Sequence, residues 1–353
     1  MKKFERNLAL RCADLARSAG HFAGEVAILN EAPLPVARSL RTGLSIGAGF
    51  VGFALTRHFE SAVICAIFTN LLIFVDQLAP LRERLWVLGV AALTFAAAGA
   101  VGGIIAGVEP VVLLATFAFA SFAGLVQGSL PGVELIPRNS LICMVVGAYL
   151  PHIDRDIGLG VAAGAMLALL GAYLEHRFAP NERGPALATA RELVAYQHPS
   201  FVSVYGAAAV GGMALGYFTG DVKPYWVTIT TLVVMQPGRR ANAVRATQRF
   251  IGTMTGVVVA YLFSLSVGHW QREIFLAFAV ATPFLWPLAF GRNYGLGVAV
   301  LSFWILVLLD LALPPQQDPG ALFFARLMDT AIGCALALTA NFVVEERSRH
   351  QAA

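Results

Sequence analysis

From about position 37 onward, apolar runs of roughly 17 to 25 residues follow one another with few charges inside them. As helices, such runs are long enough to cross a hydrocarbon core about 30 Å thick. Nothing else in the sequence restricts the fold as strongly. Backbone N–H and C=O groups in lipid must be satisfied within a helix or a closed barrel. The runs do not alternate apolar and polar residues, so the helical solution is the expected one. Composition agrees: 58% of the 353 residues are hydrophobic and 13% charged, against about a quarter charged in soluble domains.

The expected fold class is therefore all-α, a polytopic transmembrane helix bundle of about 10–12 spans. Twelve runs centre near 37–56, 61–75, 86–106, 110–128, 139–150, 157–175, 201–219, 225–237, 249–266, 274–290, 294–313 and 321–344. Those at 61–75, 139–150 and 225–237 are short, as half-helices or re-entrant segments are. With both termini placed in the cytoplasm, 20 of the 25 lysines and arginines fall on that side, as the positive-inside rule requires. Only Arg57, Arg155, Lys223, Arg272 and Arg326 fall outside or near the outer face.

The second half echoes the first. LIFVDQLAPLRERLW leads into a glycine-rich run, as LVVMQPGRRANAVRATQR leads into FIGTMTGVVVA. Two similar six-helix halves with the same orientation follow from this pattern. The expected organisation is a cytoplasmic segment 1–36, a first membrane half 37–178, a polar cytoplasmic linker 179–200, a second half 201–344 and a tail 345–353. The N-terminus is basic but lacks the apolar core and cleavage site of a signal peptide. Glycines four apart, such as Gly43 and Gly47 or Gly252 and Gly256, predict close helix contacts.

A net charge of +4 is spread over short gaps between apolar runs, which argues against a nucleic-acid surface. The four cysteines show no CxxC spacing, so neither a metal site nor a disulfide framework is expected. His58, His152 and His269 have no ligand spacing either. The tryptophans Trp86, Trp226, Trp270, Trp286 and Trp304 sit mostly near span ends, the place of interfacial anchors. No phosphate loop of the GxxxxGK[ST] type occurs. No cofactor and no enzyme activity is expected.

Charge gathers instead in VVMQPGRRANAVRATQRFIGTMTG, positions 233 to 256. Pro237 and Gly238 end one short span. Asn242, Arg245 and Arg249 then follow at spacings of three and four, on one helical face that continues through Gly252, Thr253 and Gly256. A cationic stripe leading onto a smooth helix suits capture of an organic anion, because arginine offers a planar fork to a carboxylate. The plainer account is that these arginines fix topology and meet lipid headgroups. Arg239 and Arg240 fit that account best.

Intramembrane charges form the second candidate set. Arg326 and Asp329 lie one turn apart, with Asp310 on the preceding span at similar depth; the three form either a proton relay or a fixed clamp between helices. Asp76 matches Gln236 in the repeat and is either protonatable or a solvated helix end.

The run WVTITTLVVMQP (226–237) followed by RFIGTMTG (249–256) resembles the signature of the fusaric acid resistance and aromatic acid exporter family of bacterial inner-membrane proteins. RLMDTAIG (326–333) is similar to the opening of the last membrane helix there. The resemblance implies proton-coupled efflux of aromatic carboxylic acids or related hydrophobic anions. Trp226, Thr230, Gln236, Pro237, Arg245, Arg249, Gly252, Thr253 and Gly256 are its substrate candidates, and Asp76, Asp310, Arg326 and Asp329 its coupling or clamp candidates. Many members carry a sizeable cytoplasmic domain after each membrane block, whereas about 25 polar residues stand between the halves here. A non-transporting scaffold or subunit serving a partner is the competing expectation. The expected partners are the lipid bilayer and a small hydrophobic organic anion, with a second copy or a periplasmic adaptor as the protein partners allowed.

Overall fold

The computed structural model describes residues 20–31, 33–77, 79–129, 132–150, 154–179, 199–219, 223–267, 272–312 and 319–352. Expectations for residues 1–19, for His152, His269 and Trp270, and for most of the 179–200 linker lie outside the described residues. Among those described, the regular structure is helical throughout. Each of the twelve apolar runs contains helix, and the chain is an all-α polytopic bundle.

After a helical stretch at 20–27, the helices in the first half of the chain are α1 (Val36–Leu55), α2 (Phe59–Val75), α3 (Leu81–Ile105), α4 (Glu109–Val126), α5 (Leu135–Ala148) and α6 (Arg155–Phe178). The remainder are α7 (Pro199–Phe218), α8 (Tyr225–Val234), α9 (Arg239–Val267), α10 (Arg272–Ala281), α11 (Trp286–Arg292), α12 (Tyr294–Ala312) and α13 (Pro319–Ala352). A 3-10 turn at Thr282–Phe284 joins α10 to α11. Among the described residues, seven helices can cross a membrane by length and composition: α3, α4, α6, α7, α9, α12 and α13. Treating the bent α10–α11 pair as one span makes eight. The other runs fall short for identifiable reasons. At about 1.5 Å per residue, α2, α5 and α8, with 17, 14 and 10 residues, reach only part of the way across. Helix α1 carries Arg38 and Arg41 in its first two turns.

Apolar side chains point outward all round the bundle: Leu93 and Ile104 of α3, Leu114 of α4 and Leu265 of α9 are 73%, 80%, 69% and 64% exposed. Exposure of this kind belongs in lipid rather than water. Inside, small residues set the helix crossings. A Cβ on Gly252 or Gly256 of α9 would run into the carbonyl oxygens of Gly295 and Ala299 on α12, and one on Gly102 of α3 into that of Met144 on α5. Helix α4 meets α7 where Gly206 faces Ser121 and Phe117.

Breaks in the helices are sealed by side chains. In the 3-10 turn after α10, Pro283 has no N–H for the carbonyl of Ala279, four residues back. The indole Nε1 of Trp304 donates to that carbonyl at 2.8 Å, and Ser39 Oγ donates to the carbonyl of Phe284. This corrects the reading of Trp286 and Trp304 as interfacial anchors. They are 1% and 0% exposed and meet edge to face at 4.7 Å, because the kink needs a buried donor and apolar filling. Trp226, at 7% exposure, is buried too, whereas Trp86 is exposed.

Candidate functional site

The motif-bearing helix α8 is ten residues long and ends inside the protein, so its last carbonyls need partners. Tyr205 Oη donates to Leu232 O at 2.8 Å, Gln127 Nε2 to Met235 O at 2.7 Å and Asn341 Nδ2 to Gln236 O at 2.7 Å. Asn242 serves both directions: its Oδ1 accepts from Gln236 N at 3.1 Å and its Nδ2 donates to Ala337 O at 3.0 Å. Gly238 turns the corner at φ +94, a conformation that favours glycine. Gln236 and Pro237 thus build the α8–α9 corner. Through Asn242 and Asn341 that corner is tied to α9 and α13.

Helices α8, α9 and α13 touch one another pairwise. Thr231 Oγ1 donates to the carbonyls of Val227 at 2.9 Å and Gly333 at 3.3 Å. Cys334 Sγ lies 3.5 Å from Ala246 O. Between these contacts lie two buried guanidiniums, with Arg249 and Arg326 each 6% exposed. Both act electrostatically on Cys334, and Arg249 and Asp329 both act on Arg326. The guanidinium carbon of Arg326 stands 4.8 Å from the ring centre of Trp226, a cation–π arrangement. Asp329 and Thr330 are also buried, and Thr330 Oγ1 donates to Arg326 O at 2.8 Å.

Arg249 Nε, Arg326 Nη1, Thr230 Oγ1 and Thr253 Oγ1 are buried without a hydrogen-bond partner among the described residues. An unmet polar atom in a low-dielectric interior costs about 1–3 kcal/mol, more for a charged group. The four atoms are distributed over α8, α9 and α13, three helices in mutual contact. Arg245 lies nearer the start of α9 and stacks on the Tyr294 ring at 3.6 Å. Gly252 and Gly256 face α12 and act in packing. Asp310, on α12, accepts from Ser264 Oγ at 3.3 Å.

A second polar centre joins residues that the sequence leaves far apart. Arg84 Nε donates to Asp76 Oδ1 at 2.7 Å, and its Nη2 to Asp76 Oδ2 at 2.6 Å and to Glu175 Oε2. Arg41 Nη1 reaches the same two carboxylates, 2.9 Å from Glu175 Oε2. All four residues are under 9% exposed. Asp76 is therefore no solvated helix end, and Arg41 and Arg84 are not free loop charges. The signal available was Asp76 and Arg84 flanking a Pro80 corner; Glu175 gave none.

Comparison with known proteins bears on the α8–α9–α13 region. Residues 208–340 match the fusaric acid resistance protein-like family. The resemblance carried by 226–237, 249–256 and 326–333 is thereby borne out over this stretch. A Haemophilus influenzae uncharacterized protein is 34% identical over 112 residues, 32% of this chain and 15% of that protein. Inner membrane protein YccS of Escherichia coli is 33% identical over 129 residues, 36% of this chain and 17% of YccS. Uncharacterized protein ORF2 of Neisseria gonorrhoeae is 31% identical over 116 residues, 33% of this chain and 27% of that protein. The matched stretch thus spans less than a third of each relative's length. No solved structure matches.

Proposed function

We propose that the chain is a secondary transporter of the bacterial inner membrane that exports hydrophobic organic anions, aromatic carboxylates first among them. The observation that carries this reading is the set of unmet buried donors at Arg249 and Arg326 beside the hydroxyls of Thr230 and Thr253. A carboxylate accepts from both guanidiniums and both hydroxyls, and the Trp226 ring offers its aromatic part a stacking surface. The name of YccS supports the inner membrane as the location. Asp329, next to Arg326 in this centre, is the group assigned to proton coupling: protonating it removes the charge that competes with the substrate carboxylate for Arg326. Asp310 and Asp76 are the further coupling candidates, and Arg245 with Tyr294 lines the approach from the start of α9.

Inverted membrane vesicles containing the protein, given labelled aromatic acids and a proton gradient, test this directly. Uptake is expected, and it is expected to vanish in Arg249→Ala and on addition of an uncoupler. Uptake that persists unchanged in Arg249→Ala removes that residue from the route. Failure to take up any acid, together with co-purification of a fixed protein partner, replaces transport with a scaffold role.

A further inference from the structure

Among the described residues, the charge centre of α1, α2, α3 and α6 carries more guanidiniums than carboxylates. Among those residues, the groups that act on Arg38 are Asp76, Arg41, Glu175 and Arg84, so three guanidiniums face two carboxylates there. Arg41 and Arg84 occupy both carboxylates. What remains for Arg38 is the main-chain carbonyl of Asp76, to which its Nη2 donates at 2.7 Å. Arg38 Nε, Arg41 Nε and Arg41 Nη2 are buried with no hydrogen-bond partner among the described residues. An uncompensated buried charge with unmet donors is costly, and an anion relieves it.

We propose that Arg38 and Arg41 bind a phosphate-type oxyanion, supplied in the cell by the headgroup of an anionic phospholipid in the leaflet where α1 begins. The two arginines lie one turn apart on α1 and share a face. Of the two, Arg38 is the more exposed residue and stands nearer the start of α1. The neighbouring face of α1 presents Val36, Leu40 and Leu44 at 55%, 52% and 63% exposure, an apolar stripe on which acyl chains rest beside the headgroup. A phosphodiester carries two charged oxygens that fit a guanidinium fork, and basic pockets between membrane helices take such headgroups. The site is separate from the Arg249–Arg326 centre, and its test does not depend on transport.

The full chain is purified in detergent and titrated with cardiolipin, phosphatidylglycerol, phosphatidylcholine or inorganic phosphate. Retained lipid is read by native mass spectrometry and thermal stability in parallel. Anionic lipids are expected to bind and raise Tm, and phosphatidylcholine to do neither. Arg38→Gln, which spares both carboxylates and their paired arginines, is expected to weaken anionic-lipid binding about tenfold, the worth of one charge-assisted hydrogen bond; Arg38→Lys keeps most of it. A stabilisation given fully by inorganic phosphate alone sinks the lipid assignment in favour of a free anion. Equal binding of phosphatidylcholine, or unchanged binding in a folded Arg38→Gln protein, overturns the site.

Discussion

A guanidinium between two carboxylates is stable in a protein interior only while all its partners remain. Arg84 bonds both Asp76 and Glu175 at 3% exposure, so Arg84→Ala leaves two buried carboxylates sharing Arg41. Breaking such a pair costs about 3–5 kcal/mol. Thermal unfolding in detergent is expected to show this as a large loss of Tm. Arg82→Ala, two residues away and exposed, is expected to stay within about 0.5 kcal/mol of the parent. Equal behaviour of the two variants would contradict the clamp. Residues of this kind are the least legible in the sequence. Asp76 invites notice as a carboxylate at the end of an apolar run, yet its partners Arg41 and Arg84 have a sufficient explanation in topology. Glu175 lies 134 residues from Arg41, a distance over which a single sequence holds no pairing information. Arg249 and Thr253 are legible for the opposite reason: both stand on one helix, where spacing of four fixes a common face.

At the scale of elements, apolar run length locates nearly every helix, since in lipid the backbone has no other way to satisfy itself. What it does not give is where α3 and α9 begin. The apolar runs begin near 86 and 249, but the helices begin at Leu81 and Arg239; in α9 the shared face of Asn242, Arg245 and Arg249 already carries the helix ahead of the apolar run. Glycine spacing is informative about contacts, and the structure divides the glycines by consequence. Valine at Gly252 or Gly256 would collide with the α12 backbone, and overpacking of this kind costs about 1–3 kcal/mol. Gly89 sits in the interior of α3, and a Cβ added there would meet nothing within 4 Å. Gly89→Ala is expected to be neutral or to stabilise by about 0.5–1 kcal/mol through helix propensity. Denaturant or heat unfolding of the three variants side by side separates packing glycines from merely frequent ones. A loss in Gly89→Ala as large as in Gly256→Val would remove that distinction.

Across the whole molecule, the contacts fall into two matching sets. Helix α2 lies against α1 and α6, and α3 against α5; likewise α8 lies against α7 and α13, and α9 against α12. Thr69 and Thr231 make the same kind of bond, each donating to a glycine carbonyl on the last helix of its set, Gly164 and Gly333. This pattern supports the proposal of two related six-helix halves. The sets also touch each other, α4 on α7 and the α10–α11 kink on α1. A further tie comes from the segment before α1. Glu25 pairs with Arg240 through bonds of 2.8 and 2.6 Å. Val26 O accepts from Gln248 and Asn293, Ile28 O from Asn293, and Asn30 exchanges two bonds with Arg292. The strap therefore spans the start of α9 and the α11–α12 junction, beside the Arg245–Tyr294 stack. The Glu25–Arg240 link sets a pH dependence. The hydrogen bond from Arg240 holds the Glu25 carboxyl below its ordinary value of 4.5. A depressed acid contributes in full above that value and loses its contribution as pH falls through the folded-state pKa. Hydrogen exchange at residues 25–30, once corrected for intrinsic rates, is thus expected to quicken as pH falls below 4.5. In Glu25→Gln the quickening should already be present at neutral pH and the acid step should disappear. The pair is exposed, so the effect should shrink with added salt, whereas the bonds from Asn293 and Gln248 keep the strap seated. A strap equally protected in Glu25→Gln at every pH would show that those amide bonds alone hold it.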